Sequence, residues 1–131
     1  MKIHEILLID DDSVTNFVQK KVIESEFENF SIEVFQNGLT AIDYIHKNPK
    51  KSYLIFLDIN MPVMNGWEFL EAITNDKYFY NLKVFILTSS LDLSDMRMAE
   101  KHQLGSSFLV KPLKREVLKE IKLNYGVKNA I

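Results

Sequence analysis

Short apolar runs and longer amphipathic stretches alternate along the chain, and this alternation predicts an α/β fold. Residues 6–9 (ILLI) form a continuous apolar run, as expected of a strand covered on both faces. Ser13 then offers a helix N-cap, and Val14, Phe17, Val18 and Val22 fall on one helical face with Ile23 beside them. A weaker strand follows at 32–35. Asn37-Gly38 punctuates the chain, and Ala41, Ile42 and Ile45 mark a second amphipathic helix that Asn48-Pro49 stops. Residues 53–57 are the next buried strand, ending at Asp58, and the loop NMPVMNG leads into a helix carrying Trp67, Leu70 and Ile73. A fourth strand at 84–87 ends at Thr88-Ser89-Ser90. Ser94 or Asp95 starts a fourth helix, which Gly105 closes as a C-cap. A short strand at 108–110 is closed by Lys111-Pro112. A final helix from about 114 to 124 carries Val117, Leu118 and Ile121. Five strands alternating with five helices imply a parallel sheet with right-handed crossovers.

Composition narrows the function. At 131 residues the chain fits one domain able to bury its own core. A net charge of -2 supplies no basic field, so neither nucleic acid nor an anionic membrane is an expected partner. The absence of cysteine removes disulfides, thiolate catalysis and Cys-type zinc sites together. The opening MKIHEILLIDDD has only four consecutive apolar residues before three acids, unlike a signal peptide or membrane span, so a cytoplasmic protein is expected. After the last helix only GVKNAI remains, too short for an output domain. The expected organisation is one domain over 1–125 with a short tail at 126–131.

The chemistry is concentrated where strands end. In open parallel sheets ligands sit beyond the carboxyl ends of the strands. Strand one ends at Asp10-Asp11, strand three at Asp58, strand four at Thr88 and strand five at Lys111. Clustered carboxylates need raised pKa values or a cation, and Mg2+ is the hard ion that suits one or two carboxylates with phosphate oxygens. Asp10 and Asp11 can supply a ligand and its orienter, and Asp58 a further oxygen able to attack phosphorus in line. Lys111 can stabilise equatorial charge, with Thr88 donating a hydrogen bond to the transferred group.

The pieces ILLIDDDSV, LIFLDINMPVMNGWEFL, VFILTSS and SSFLVKPL, in this order and spacing, resemble the response-regulator receiver domains of two-component signalling. The resemblance covers nearly the whole chain. It implies a doubly wound, flavodoxin-like five-stranded parallel sheet of order 2-1-3-4-5 with five helices. It also implies that Asp58 is the phosphoacceptor, and that Asp10, Asp11, Asp58 and the Asn60 backbone carbonyl hold Mg2+. Lys111 and Thr88 become the catalytic partners, and Thr88 and Phe108 the switch pair. The implied protein is a stand-alone regulator, not an enzyme beyond its own phosphorylation and dephosphorylation. It would take phosphate from a sensor histidine kinase or histidine phosphotransfer protein, change its affinity for a downstream protein target, and exist as a monomer or weak dimer. A phosphorelay intermediate is the alternative role. Phe108 stands where many receivers carry Tyr or His and cannot form a hydrogen bond. Met98 and His102 are candidate partner contacts.

Two rival readings use the same residues. Asp10-Asp11-Asp12-Ser13-Val14 also fits the DxDx[TV] pattern of haloacid-dehalogenase-like phosphohydrolases, which would phosphorylate Asp10. That reading leaves Asp58 and its loop unexplained and lacks the acidic pair expected after the lysine. The other rival keeps the fold as a passive binding module. Asp12 is placed as either a further metal contact or a solvated acid near the first helix. Met61, Met64 and Trp67 are expected to pack around the site. His4, His46 and His102 share no metal-ligand spacing, and the basic stretch 111–122 reads as a solvated helix face.

Overall fold

A computed structural model describes residues 3–75, 81–89, 93–101 and 107–124. The expectations for Ser90, His102, Gly105 and the tail at 126–131 lie outside these residues. The elements are β1 (Glu5–Ile9), α1 (Ser13–Glu26), β2 (Ser31–Phe35), α2 (Gly38–Lys47), β3 (Tyr53–Asp58), α3 (Gly66–Thr74), β4 (Leu82–Thr88), α4 (Leu93–Lys101), β5 (Phe108–Val110) and α5 (Arg115–Asn124). All strand pairs are parallel and the order is β2-β1-β3-β4-β5.

The apolar runs become central strands because both of their faces are covered. Along β1 and β3 successive side chains point to opposite sides, and every residue of the two strands is buried. Leu7, Ile9, Ile55 and Leu57 face one layer, with Ala41 and Ile45 of α2 and Phe69 and Leu70 of α3. Ile6, Leu8, Leu54 and Phe56 face the other, with Ile23 of α1 and Leu118 and Ile121 of α5. The edge strand β2 is largely exposed, which explains its weaker apolar signal.

Helix α1 departs from the expected orientation. Its buried residues are Asn16, Gln19, Ile23 and Glu26, whereas Val14, Phe17 and Val18 are 70%, 66% and 55% exposed. The N-terminal part of the apolar face lies outward, while Ile23 is buried as expected and Val22 packs partly buried against the core. Glu26 meets Arg115 of α5, with Nε 3.1 Å from Oε1. The N-cap is Asp12 rather than Ser13: its carboxylate accepts from the Val14 N–H at 3.1 Å and from the Thr15 hydroxyl at 2.7 Å. Those two bonds hold the Asp12 carboxyl below the usual carboxylate range, the Thr15 hydroxyl contributing most.

The loop between β3 and α3 is tightly built. Asn65 and Glu68 form a capping box at the start of α3. The Gly66 N–H donates to the Ile59 carbonyl at 2.8 Å. A Cβ on Gly66 would sit 2.8 Å from Ile59 Cα and 2.9 Å from the Asp58 carbonyl oxygen, so this close approach needs glycine. Val63 in the same loop has φ 67°, a left-handed conformation costly for a β-branched residue.

Candidate functional site

The chain leaves β1 for one side of the sheet and returns to the other through β3, so a crevice opens between the carboxyl ends of these strands. Asp10 follows β1 and is 1% exposed; Asp58 ends β3 and is 5% exposed. Thr88, at the end of β4, is buried, and its carbonyl accepts from the Lys111 N–H at 2.7 Å. That bond sets the direction in which Lys111 leaves β5. The Lys111–Pro112 peptide is cis.

Lys111 reaches across two strands. Its Nζ lies 2.7 Å from Asp10 Oδ2 and 3.3 Å from Asp58 Oδ1. Burial alone would lower the ammonium pKa, but the two carboxylates reverse this and hold it above its ordinary value. Asp58 is shifted upward, first by burial and then by the Asp10 charge, against the opposing pull of Lys111 and the Asn60 backbone N–H. One ammonium therefore does not neutralise the pair.

Asp10 is held on all sides. Its N–H donates to the Phe35 carbonyl at 3.0 Å, and its carbonyl accepts from Asn16 Nδ2 at 2.7 Å. Its Oδ1 accepts from the Asp12 N–H at 3.0 Å. Asp11 is exposed beside it, and one oxygen each from Asp10, Asp11 and Asp58 lie within 4.8 Å of one another. Three carboxylates with excess negative charge form a hard oxygen donor set, and this arrangement fits a divalent cation. Asp12 is not among the three, consistent with its use as a helix cap.

Beside this cluster, Phe108 is half-buried, its ring 6.4 Å from that of Trp67. Trp67 Nε1 donates to Asp95 Oδ1 at the start of α4, at 3.4 Å. Met61 and Trp67 are buried as expected, and Met64 packs partly buried against the same layer. Met98 borders a cleft of about 370 Å³ between α3 and α4. Of the expected site residues, Asp10, Asp11, Asp58 and Lys111 converge, Thr88 stands at the neighbouring strand end, and Asn60 follows Asp58 by its backbone. Asn16 and Gly66 were not foreseen. Asn16 was hidden because its helix was expected to face the other way, and Gly66 because its crowding comes from β3.

A family model for the response regulator receiver domain matches residues 6–122. A chemotaxis protein CheY homolog from Campylobacter jejuni is 28% identical over 116 residues, covering 88% of this chain and 87% of that one. The crystal structure of a two-component response regulator from Cytophaga hutchinsonii superimposes with a TM-score of 0.79 at 30% identity, covering 94% of this chain and 96% of the other. The 3',5'-cyclic-nucleotide phosphodiesterase regA of Dictyostelium discoideum is 29% identical over 118 residues. The chain spans 88% of itself but only 14% of that relative, so the activity in the relative's name is not carried over. No helix among the described residues is long and apolar enough to cross a membrane.

Proposed function

This chain belongs to the response regulator receiver domain family, and on that premise we propose that Asp58 accepts a phosphoryl group from a partner's phosphohistidine. The observation that carries the reading is the buried Asp58 carboxylate facing Lys111 at 3.3 Å within a cluster of three aspartates. An Asp58 oxygen attacks phosphorus in line, the P–N bond breaks, and the donor imidazole leaves with the electron pair. Asp10, Asp11, Asp58 and the Asn60 carbonyl would hold Mg2+, which would supply charge neutralisation between the carboxylates and at the phosphoryl oxygens. Lys111 turns from the carboxylates to an equatorial oxygen, and the Thr88 hydroxyl donates to another. Water later cleaves the acyl phosphate, releasing inorganic phosphate and returning Asp58 to its free carboxylate. The domain thus catalyses its own phosphorylation and dephosphorylation.

The donor docks on α1. Val14, Phe17 and Val18 form an exposed apolar face bordering a cleft of about 390 Å³ that Lys111 and Pro112 also line. A helical surface of a histidine kinase or phosphotransfer protein laid on this face brings its histidine to the mouth of the site. Downstream, Thr88 drawn toward the phosphoryl group makes room for Phe108 to turn inward and alter the α4–β5–α5 surface for a protein target. Residues 1–125 are the receiver unit that carries this switch.

Incubation with acetyl phosphate and Mg2+, borohydride trapping and peptide mapping tests the chemistry. Label on Asp58, lost in Asp58→Asn, is the expected result. Label on Asp10 would instead support the phosphohydrolase reading, and no label at all the passive module.

A further inference from the structure

Helix α1 turns polar side chains into the protein, and Asn16 is the member that reaches the site. It is 4% exposed, and its Nδ2 donates to the Asp10 carbonyl at 2.7 Å. Its Oδ1 is buried without a hydrogen-bond partner. An amide half-satisfied in the interior is a poor choice for packing alone, since an apolar side chain would avoid the unpaired oxygen. What the amide does achieve is specific. Asp10 lies just past the last residue of β1, where the sheet holds its N–H through the Phe35 carbonyl but offers its own carbonyl no strand partner. Asn16 supplies that partner from the second turn of the helix.

We propose that Asn16 is a positioning residue for Asp10, locking the peptide after β1 so that the carboxylate points at Lys111 and toward Asp58. The proposal rests on the reading of Asp10 as a metal-binding acid. Without the Asn16 bond the Asp10 carbonyl loses this donor, and the peptide after it is held only through its neighbours and the Asp12 N–H bond to Asp10 Oδ1, so the carboxylate loosens relative to the other two aspartates. Fixing a ligand's orientation from one shell out is the kind of contact whose loss weakens metal binding by about 10-fold or more.

The test uses the full chain with Asn16→Leu and, in case the larger side chain disrupts folding, Asn16→Ala. Mg2+ affinity is measured by calorimetry, and melting temperature is measured in a metal chelator. Phosphorylation by acetyl phosphate is followed at saturating Mg2+. For Asn16→Leu we expect a melting temperature close to wild type, because the unpaired amide oxygen is gone but the Asp10 carbonyl loses its donor, together with about a 10-fold loss of Mg2+ affinity. A folded variant that binds Mg2+ as wild type does, whatever its melting temperature, overturns the proposal. Asp10→Asn separates the two levels. If it too binds Mg2+ normally, the metal-acid reading has failed; if it binds weakly while both Asn16 variants bind normally, only the positioning role has failed.

Discussion

Lys111 pairs more closely with Asp10 than with Asp58, at 2.7 Å against 3.3 Å. The lysine is therefore parked mainly on Asp10 rather than on the proposed phosphoacceptor Asp58. Its move to a phosphoryl oxygen breaks a buried pair, which a cation on the carboxylates makes less costly. Lys111→Ala should lower phosphorylation by acetyl phosphate about 10²- to 10³-fold, the usual effect of removing one charge-stabilising donor. It should also destabilise the metal-free protein, and saturating Mg2+ should recover much of that loss. Melting curves with and without Mg2+ check this; an equal deficit in both would show that the lysine does not balance the acidic cluster.

The upward shift of Asp58 has a consequence for stability. A carboxyl that holds its proton to higher pH in the folded than in the unfolded state penalises folding once ionised. The penalty is full at neutral pH and disappears as pH falls through the Asp58 folded value. Asp58→Asn should therefore melt higher than wild type at pH 7 without metal. The gain should shrink on acidification and on adding Mg2+. A lower melting temperature for Asp58→Asn at pH 7 would mean that Lys111 already compensates the pair.

The outward apolar face of α1 separates binding of a protein donor from chemistry. Phe17 is 66% exposed on the outward face of α1. Phe17→Glu should leave acetyl phosphate reactivity within about twofold and stability within about 0.5 kcal/mol, as for most surface changes. Transfer from a phosphohistidine protein should fall at least 10-fold. Single-turnover transfer from a phosphorylated histidine phosphotransfer protein provides the measurement. Unchanged transfer would move the docking surface elsewhere.

The sheet and the strand-end residues of the site were legible because both depend on local facts. An apolar run buried on two faces reads as a central strand, and the residue ending it must emerge at the carboxyl edge, as Asp10, Asp58, Thr88 and Lys111 do. The first two turns of helix α1 were misread for a physical reason. Hydrophobic periodicity locates an apolar face but does not say whether the core or a partner covers it. Val14 and Phe17 face out while Asn16 and Gln19 face in. Asp12 and Ser13 are both competent caps, and only the bonds to Val14 and Thr15 distinguish them. Asn16 and Gly66 depend on contacts between separate segments, which spacing along the chain does not encode.

Gly66 links the loop after β3 to the placement of Asp58. Gly66→Ala puts a methyl group 2.8 Å from Ile59 Cα, a backbone atom that cannot turn aside. We expect a loss of about 1–3 kcal/mol from overpacking, with slower phosphorylation because Asp58 moves with its neighbour. Val63→Asn should act in the opposite direction, gaining about 1 kcal/mol by relieving the left-handed conformation. Denaturant unfolding of the two variants decides both. A Gly66→Ala protein with wild-type stability would show that the loop yields freely.

Trp67 ties Phe108, the proposed switch residue, to α4, since its ring lies beside that of Phe108 and its N–H bonds Asp95. Phe108 has no polar atom with which to signal its position, so any movement must pass through packing. As the chain's single tryptophan, Trp67 reports that movement directly. Beryllofluoride with Mg2+, which mimics the phosphorylated aspartate, should change its emission in wild type. Phe108→Ala should reduce the change while leaving acetyl phosphate labelling of Asp58 within about twofold, because its side chain has no polar atom to contribute to the chemistry. Asp95→Asn should preserve the change but shift its starting emission by altering the indole hydrogen bond. An emission that does not respond to activation in wild type would place the output away from the Phe108–Trp67 contact.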